Sequence, residues 1–283
     1  MIEEVLIFGT IQGALLALLA LGFSLVYGVG GVLNLSHGAF YLITAYVFYW
    51  TIPLFGMTIS AVLALAVVVG IAAATFLALI KPLQDTHIGV VLVTFALAFF
   101  FEQFVKVVGD PRTHYIVPYV PGPVEFLGVR FQAQLVILLV GSLILVTLVT
   151  LFINKSKIGK SIRAVSQDAE AAKLMGINTD LVMMTSLMLS ALLVGFAAIL
   201  YAPGNFIAPR IGWGYLLLAF AVTIFGGMGS IPGSIVAAFI MGYARSFSDY
   251  FISTAFSEII PIVVILVMLL VRPQGLLGKK ELQ

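Results

Sequence analysis

The chain has 283 residues, of which 62% are hydrophobic and only 9% are charged, and its formal net charge is +2. Because a soluble domain carries about 25% charged residues, this composition excludes an ordinary aqueous fold and indicates an integral membrane protein in a lipid bilayer. The small net charge gives no sign of nucleic-acid binding. The absence of cysteine excludes disulfides, thiolate metal sites and cysteine nucleophiles.

Apolar runs of about 20 residues recur along the chain, a length typical of membrane-spanning α-helices and not of barrel strands. We predict an all-α integral membrane protein with a single transmembrane domain, residues 1–283. The first run has no basic residues before it and is expected to stay as an uncleaved anchor. The predicted spans are 5–27, 32–50, 59–80, 88–108, 134–153, 181–201, 215–226, 234–252 and 259–271.

Two glycine-rich stretches, 27–40 and 226–233, interrupt the apolar runs near opposite ends of the chain. The count is therefore about nine spans, with eight or ten as alternatives if either stretch is re-entrant. Unwound backbone in lipid is tolerated only where it is buried in protein or lines a water-filled cavity, and broken helices in both parts of a transporter indicate the transport route. The candidate pathway residues are Asn34, Ser36, His37, Gly38, Gly226, Gly227 and Gly229.

The alternative for both stretches is close helix packing with ordinary cytoplasmic turns. In that case Asn34 and Ser36 only cap the second span, and His37 packs against a neighbouring helix. If the first stretch lines the route instead, the free N–H groups at the start of its helix favour a carboxylate. A substrate that carries a carboxylate would be favoured at this end.

The most polar part of the chain is the stretch 154–180, which holds five of the 14 basic residues. By the positive-inside rule this central loop faces the cytoplasm. Counting spans from this loop places the C-terminus inside and the N-terminus outside. It also places the first broken stretch in the cytoplasmic half of the membrane. The proline-rich loop 109–131, with some extended chain, then lies outside. The basic residues predicted inside are Lys81, Lys155, Lys157, Lys160, Arg163, Lys173, Arg272, Lys279 and Lys280, whereas Arg112, Arg130 and Arg210 fall in outer loops.

The central loop also has a helical pattern, with apolar residues at spacings of three and four. Asp168 is placed to cap a short helix whose first turn carries Glu170, and Gly176 is placed to end it. Two interpretations follow: a solvated basic loop that only fixes the topology, or an amphipathic element that docks on a cytoplasmic partner. The apolar stripe is Ile158, Ile162, Val165, Ala169, Ala172 and Met175.

Several motifs, taken in order, resemble one family. RAVSQDAEAAKLMGIN is similar to the cytoplasmic loop of bacterial ABC-importer permeases, and Glu170, Ala171, Ala172 and Gly176 match their EAA…G signature. Upstream, SLVYGVGGVLNLSHGAFYL resembles the branched-chain amino acid permeases of the LivH type, as do FGGMGSIPGS and VRPQGLLG downstream. The likeness runs from about residue 22 to residue 278 and so covers almost the whole chain.

The resemblance implies a permease subunit in the bacterial inner membrane that passes a small, branched-chain amino acid into the cytoplasm by alternating access. It implies three kinds of partner: a periplasmic binding protein, a second homologous permease, and ABC ATPase subunits that hydrolyse ATP. Relatives that move urea or short amides share the same motifs. The implied ATPase-coupling residues are Arg163, Asp168, Glu170, Ala171, Ala172 and Gly176.

A few charged residues lie inside apolar runs. Glu102 precedes Lys106 by four residues and Arg245 precedes Asp249 by four, which is the spacing of helical ion pairs. A secondary transporter or channel, the alternative function, often carries charges on its route, so two structural pairs favour the ABC permease. The chain has no catalytic motif, and we predict neither an enzyme nor a cofactor nor a metal site.

Overall fold

Helices make up most of the chain in the computed structural model, which describes residues 2–84, 86–109 and 111–278. The all-α fold class is confirmed. Two short antiparallel strand pairs form in these ranges: β1 (His114–Tyr115) with β4 (Phe206–Ile207), and β2 (Pro123–Phe126) with β3 (Val129–Gln132). The helices are α1 (Ile2–Gly30), α2 (His37–Thr75), α3 (His87–Gly109), α4 (Ala133–Lys155), α5 (Lys157–Gln167), α6 (Ala169–Leu174), α7 (Thr179–Tyr201), α8 (Ile211–Gly226), α9 (Ile231–Phe251) and α10 (Thr254–Val271).

The core of the bundle is formed by α1 and α7. The buried share of the most apolar stretch is 67% in α1 and 61% in α7, but 28% in α3 and α4 and 17% in α10. A helix that is apolar on all sides avoids water either inside the protein or against lipid tails. We therefore assign α1 and α7 to the interior, and α3, α4 and α10 to the lipid-facing periphery.

Small residues let α1 and α9 pack closely along their length. Gly9 of α1 lies under the ring of Tyr243, and Gly13 lies under Phe239, where a Cβ would come within 2.7 Å of the ring carbon Cδ1. Such a close approach is expected for small residues four apart in a membrane helix. We call this contact the α1–α9 seam.

A bend at Gly56 divides α2 into two arms. Helical structure from His37 to Leu83 covers 47 residues, about 70 Å, which is more than twice the hydrocarbon thickness of a bilayer. Gly56 has φ 73° and ψ 170°, a backbone conformation that favours glycine. A Cβ at Gly195 of α7 would contact both Thr44, twelve residues before the bend, and Val68, twelve residues after it. The arms therefore fold back on each other beside α7, where the sequence predicts two spans joined by a short outer loop.

The number of spans depends on the two broken regions. Six continuous helices in the described ranges are long and apolar enough to cross a membrane, and α8 with α9, bent by 116°, passes the same test as a pair. Counting the two arms of α2 separately raises the total to eight, or nine if α8 and α9 each cross. The predicted count of about nine therefore stays a prediction.

The polar ends predicted to face the cytoplasm lie together. Lys81, at the end of the second arm of α2, forms an ion pair of 3.1 Å with Asp180 at the start of α7. The C-terminal end of α1 packs against the turn between α8 and α9. Lys279 and Lys280, also predicted on this side, lie outside the described residues.

Cysteine labelling tests which side of the membrane this end faces. Gln167→Cys and Val117→Cys each introduce the single thiol of a chain that has none, at exposed positions that neither cap a helix nor need a positive φ. We expect a membrane-impermeant maleimide to label Val117→Cys in intact spheroplasts and to label Gln167→Cys only after lysis. The reverse pattern would overturn the orientation, which depends on the bias of basic residues.

Candidate functional site

The first broken stretch, between α1 and α2, is held inside the protein by its own side chains. Asn34 Oδ1 accepts hydrogen bonds from the backbone N–H of Ser36 at 3.1 Å and from its hydroxyl at 2.6 Å. The backbone N–H of Leu35 donates to Thr94 Oγ1 of α3 at 3.2 Å. Asn34 and Ser36 are buried, and Asn34 Nδ2 has no partner in the described part of the chain. The unwound backbone is thus buried in protein, one of the two conditions under which lipid-embedded chains tolerate it.

His37, the first residue of α2, joins three helices. Its Nε2 lies 3.0 Å from the carbonyl oxygen of Leu19 in α1, and its Nδ1 lies 3.2 Å from Ser190 Oγ in α7. Because a carbonyl oxygen can only accept, we assign the hydrogen to Nε2, so Nδ1 of the neutral ring accepts from the serine hydroxyl. Both ring nitrogens are then satisfied inside the protein. This arrangement matches the packing alternative for His37, and its pathway role stays a prediction.

The first turns of α2 and α8 pack backbone against backbone inside the bundle. A Cβ on Gly38 would overlap the carbonyl oxygen of Gly212, and a Cβ on Gly212 would lie 2.5 Å from that of Gly38. At 16 residues, α8 is about 24 Å long and too short to cross a bilayer unaided. The positive ends of two helix dipoles therefore meet at Gly38, a predicted site residue.

Glu102 supplies the negative charge beside these helix starts. The predicted pair with Lys106 is confirmed. Glu102 also accepts a hydrogen bond from Trp213 Nε1 in the first turn of α8, and its Oε1 lies 3.8 Å from Arg210 Nε. The i,i+4 spacing predicted Lys106, but no local signal points to Trp213, which lies 111 residues further along the chain.

The predicted ion pair between Arg245 and Asp249 is absent among the residues that the structure describes. Asp249 instead lies 3.4 Å from Gln12 Nε2 of α1, which donates to it. Arg245 lines a cavity between α1 and α8, and its Nε is buried without a hydrogen-bond partner there. Because the two residues are four apart, they lie near one face of α9. The long arginine side chain nevertheless lines the cavity beside the neighbouring helices.

The second broken stretch is a packed turn between α8 and α9. Gly227 and Gly229 have φ of 103° and 78°, and a Cβ on Gly229 would lie 3.3 Å from the Cα of Gly28. The backbone N–H groups of residues 276 and 277 donate to the carbonyls of 225 and 226 at 2.8 and 3.0 Å. The C-terminal segment thus satisfies two carbonyls at the end of α8, including that of Gly226, as helix ends require. This geometry matches the close-packing alternative, and a pathway role for these glycines stays a prediction.

The central loop folds into two short helices with well-defined ends. Asp168 Oδ1 accepts from the N–H of Ala171 at 2.9 Å and so caps α6, as its sequence predicts. At the other end Gly176 has φ 83°. The N–H of Gly176 donates to the carbonyl of Lys173, and that of Ile177 donates to the carbonyl of Ala172, which is the Schellman pattern of a helix that ends at glycine. Arg163 Nη2 donates to the carbonyl of Asn154 at 3.2 Å and ties α5 to the end of α4.

The apolar stripe of this loop is divided between the protein interior and the surface. Ile162, Val165 and Ala172 are buried within the chain. The other predicted coupling residues, Arg163, Asp168, Glu170, Ala171 and Gly176, are exposed. At the tip, Leu174 is 88% exposed and Met175 is 83% exposed. The buried members hold the helices on the bundle, and two large apolar side chains at the tip have no partner in the described chain.

A family profile described as "Branched-chain amino acid transport system / permease component" matches residues 5–269. The chain belongs to this family. The resemblance inferred from its motifs is thereby confirmed, and the secondary transporter or channel is not favoured.

Curated relatives agree with the family over nearly the full length of this permease. It is 28% identical to the high-affinity branched-chain amino acid transport system permease protein LivH of Salmonella typhimurium, over 97% of this chain and 95% of LivH. It is 27% identical to BraD of Pseudomonas aeruginosa, which is described in the same terms, over 98% and 96%. It is 26% identical to LivM of Salmonella typhimurium, over 92% and 67%.

A solved structure, PsaBC from Streptococcus pneumoniae in complex with Fab, has a similar fold. The TM-score is 0.52 at 16% identity, covering 96% of this permease and 93% of that chain. This likeness supports the arrangement of helices.

Substitution of His37 tests whether the residue stabilises helix packing or lies on the transport route. His37→Leu removes both hydrogen bonds of the ring and leaves the buried Ser190 hydroxyl without this acceptor, which costs about 1–3 kcal/mol. We expect a lower melting temperature and a lower yield of assembled complex, with near-normal uptake per complex. Ser190→Ala, which removes one of the two bonds, serves as the milder comparison. If His37→Leu assembled normally but slowed uptake per complex, the residue would belong to the route.

Proposed function

We propose that this permease is the membrane-spanning subunit of an ATP-driven importer in the bacterial inner membrane. It receives a branched-chain amino acid from a periplasmic binding protein and passes it to the cytoplasm by alternating access. The relatives LivH and BraD are described as permeases of branched-chain amino acid transport systems, which supports the substrate class. The structural observation that carries the proposal is the capped α5–α6 segment with an exposed apolar tip.

The α5–α6 segment is suited to transmit force from a cytoplasmic ATPase. Exposed apolar side chains on a helical element favour insertion into a groove of a partner, and Leu174 and Met175 are the anchors in this proposal. Asp168 and Gly176 fix the ends of α6, while Arg163 holds α5 to α4. The residues around the tip have charged or small side chains, as at the rim of an interface. They are Glu170, Ala171 and Lys173. A displacement of the tip by the ATPase is then transmitted to α4 and α7.

A second permease subunit is the other expected partner. The similarity to LivM as well as to LivH supports pairing with a homologous permease, or with a second copy of this chain. Because this chain has no nucleotide-binding motif in a soluble domain, ATP hydrolysis is assigned to separate subunits.

Transport by the reconstituted complex tests the proposed function. Proteoliposomes containing this permease, its partner permease and the ATPases, supplied with loaded binding protein, should accumulate radiolabelled leucine only with internal ATP. Labelled urea and acetamide serve as competing substrates, and an ion gradient without ATP is the control for a secondary transporter. Uptake of urea or acetamide but not leucine would assign the other substrate class. Uptake driven by the gradient alone would overturn the ATP-driven mechanism.

Substitution at the tip of α6 tests the coupling role. Loss of a buried apolar anchor at an interface costs about 2 kcal/mol, or about 30-fold in affinity. We expect the double variant Leu174→Gln, Met175→Gln to insert and fold normally yet to bind the ATPase about 30-fold more weakly or worse. Val117→Gln, on an outer loop and 64% exposed, is the matched control. Full co-purification and full ATP-driven uptake by the double variant would contradict the docking role.

A further inference from the structure

A cavity of about 290 Å³ lies between α1, α8 and α9 at the end opposite the central loop. It is about twice the size of the engineered ~150 Å³ cavity that binds benzene and is therefore large enough for a small amino acid. Its wall includes Tyr201 at the end of α7, the first turns of α8, and Arg245 in the second half of α9. In the predicted orientation this is the outer half of the bundle, where substrate arrives.

The walls of this outer cavity combine one apolar face with one cationic face. Ile11, Leu15 and Leu218 contribute the apolar side. Arg210 and Arg245 contribute the charged side, and none of the lining residues is acidic. Arg210 has Glu102 nearby at 3.8 Å, but Arg245 has no ion pair in the described chain. A cation held near the hydrocarbon region without a counter-charge is costly, so the cavity favours an anionic group beside Arg245.

Two polar atoms next to the cavity lack partners in the described chain, and they have opposite character. Arg245 Nε is a buried donor with no acceptor, and Gln12 Oε1 is a buried acceptor with no donor. Gln12 is held in place because its Nε2 donates to Asp249. A zwitterion satisfies both: its carboxylate accepts from the arginine guanidinium, and its ammonium group donates to the amide oxygen.

We propose that the outer cavity is the site where this permease first holds its substrate, and that it selects an amino acid with an apolar side chain. Arg245 binds the carboxylate, Gln12 accepts from the ammonium group, and Ile11, Leu15 and Leu218 contact the side chain. Arg210, 3.8 Å from Glu102, is shared between that carboxylate and the substrate. The inference rests on the proposed function and deepens it, because urea and short neutral amides have no carboxylate for Arg245.

Photolabelling of the wild-type complex locates the site without any variant. The probe is a leucine analogue with a diazirine in its side chain, added at millimolar concentration to the assembled complex without nucleotide. We expect label on residues 11–15 of α1 or on residues 211–218 of α8, identified by peptide mass spectrometry. Label confined to other parts of the chain would overturn the proposal.

The role of Arg245 is tested by comparing this probe with its primary amide, which lacks the carboxylate. We expect the wild-type complex to take up label from the acid at least tenfold more than from the amide, and Arg245→Gln to reduce this ratio to near one. Arg245→Lys, which keeps the charge but loses the planar fork, should give an intermediate ratio. Arg130→Gln, on the exposed β2–β3 hairpin and paired with Glu125, should keep the wild-type ratio. A purely structural role for Arg245 leaves the ratio unchanged in every variant that assembles.

The outcomes distinguish this inference from the function on which it rests. If the wild-type complex imports leucine with ATP but Arg245→Gln keeps the wild-type labelling ratio, the site assignment is wrong and the proposed function stands. If the wild-type complex imports no branched-chain amino acid under any condition, the proposed function itself is overturned. Should Arg245→Gln fail to assemble, the labelled positions in the wild-type complex still decide the site.

Discussion

The fold depends on one constraint: inside a bilayer each backbone N–H and C=O group must find a partner within the protein. Continuous helices meet this constraint by themselves, so the informative places are those where a helix stops. Between α1 and α2 the partners are the side chains of Asn34 and Thr94. Between α8 and α9 they are the backbone groups of residues 276 and 277. Each break is thus tied to an element remote in sequence, which fixes where the short helix α8 can lie.

Local chemistry was predictable from the sequence wherever cause and effect lie within a few residues. The fold class followed from composition, the cap at Asp168 and the end at Gly176 from the preferences of those residue types, and the Glu102–Lys106 pair from helical spacing. The family followed from several motifs in the right order. These features hold because a capping residue or a positive φ acts on its own turn, whatever the rest of the chain does.

Features that join distant segments were not predictable in the same way. Two hydrogen bonds join residues that are 111 and 59 positions apart: that of Trp213 to Glu102 and that of Leu35 to Thr94. A single sequence contains no signal that predicts either of them. Spacing alone also paired Arg245 with Asp249, because it says which residues can meet and not what else competes for them. In the folded chain Asp249 accepts a hydrogen bond from Gln12 instead. The exposure of Leu174 was missed for a related reason. Periodicity placed Ala172 and Met175 on one apolar stripe, but only packing shows that Ala172 lies inside and that Leu174 and Met175 lie outside.

The α1–α9 seam has a consequence for how such permeases diversify. Gly9 and Gly13 face α9, whereas Ile11 and Leu15 line the outer cavity. Residues two apart on a helix are about 200° apart around its axis, so the two pairs occupy opposite sides of α1. The glycine side of the helix carries the framework, and the side with Ile11 and Leu15 carries part of the cavity wall, which Gln12 and Leu16 extend towards the glycine side. Evolution can therefore enlarge, shrink or recharge the cavity through the second pair while the glycine side keeps the same helix spacing, and a single scaffold can serve many nutrients.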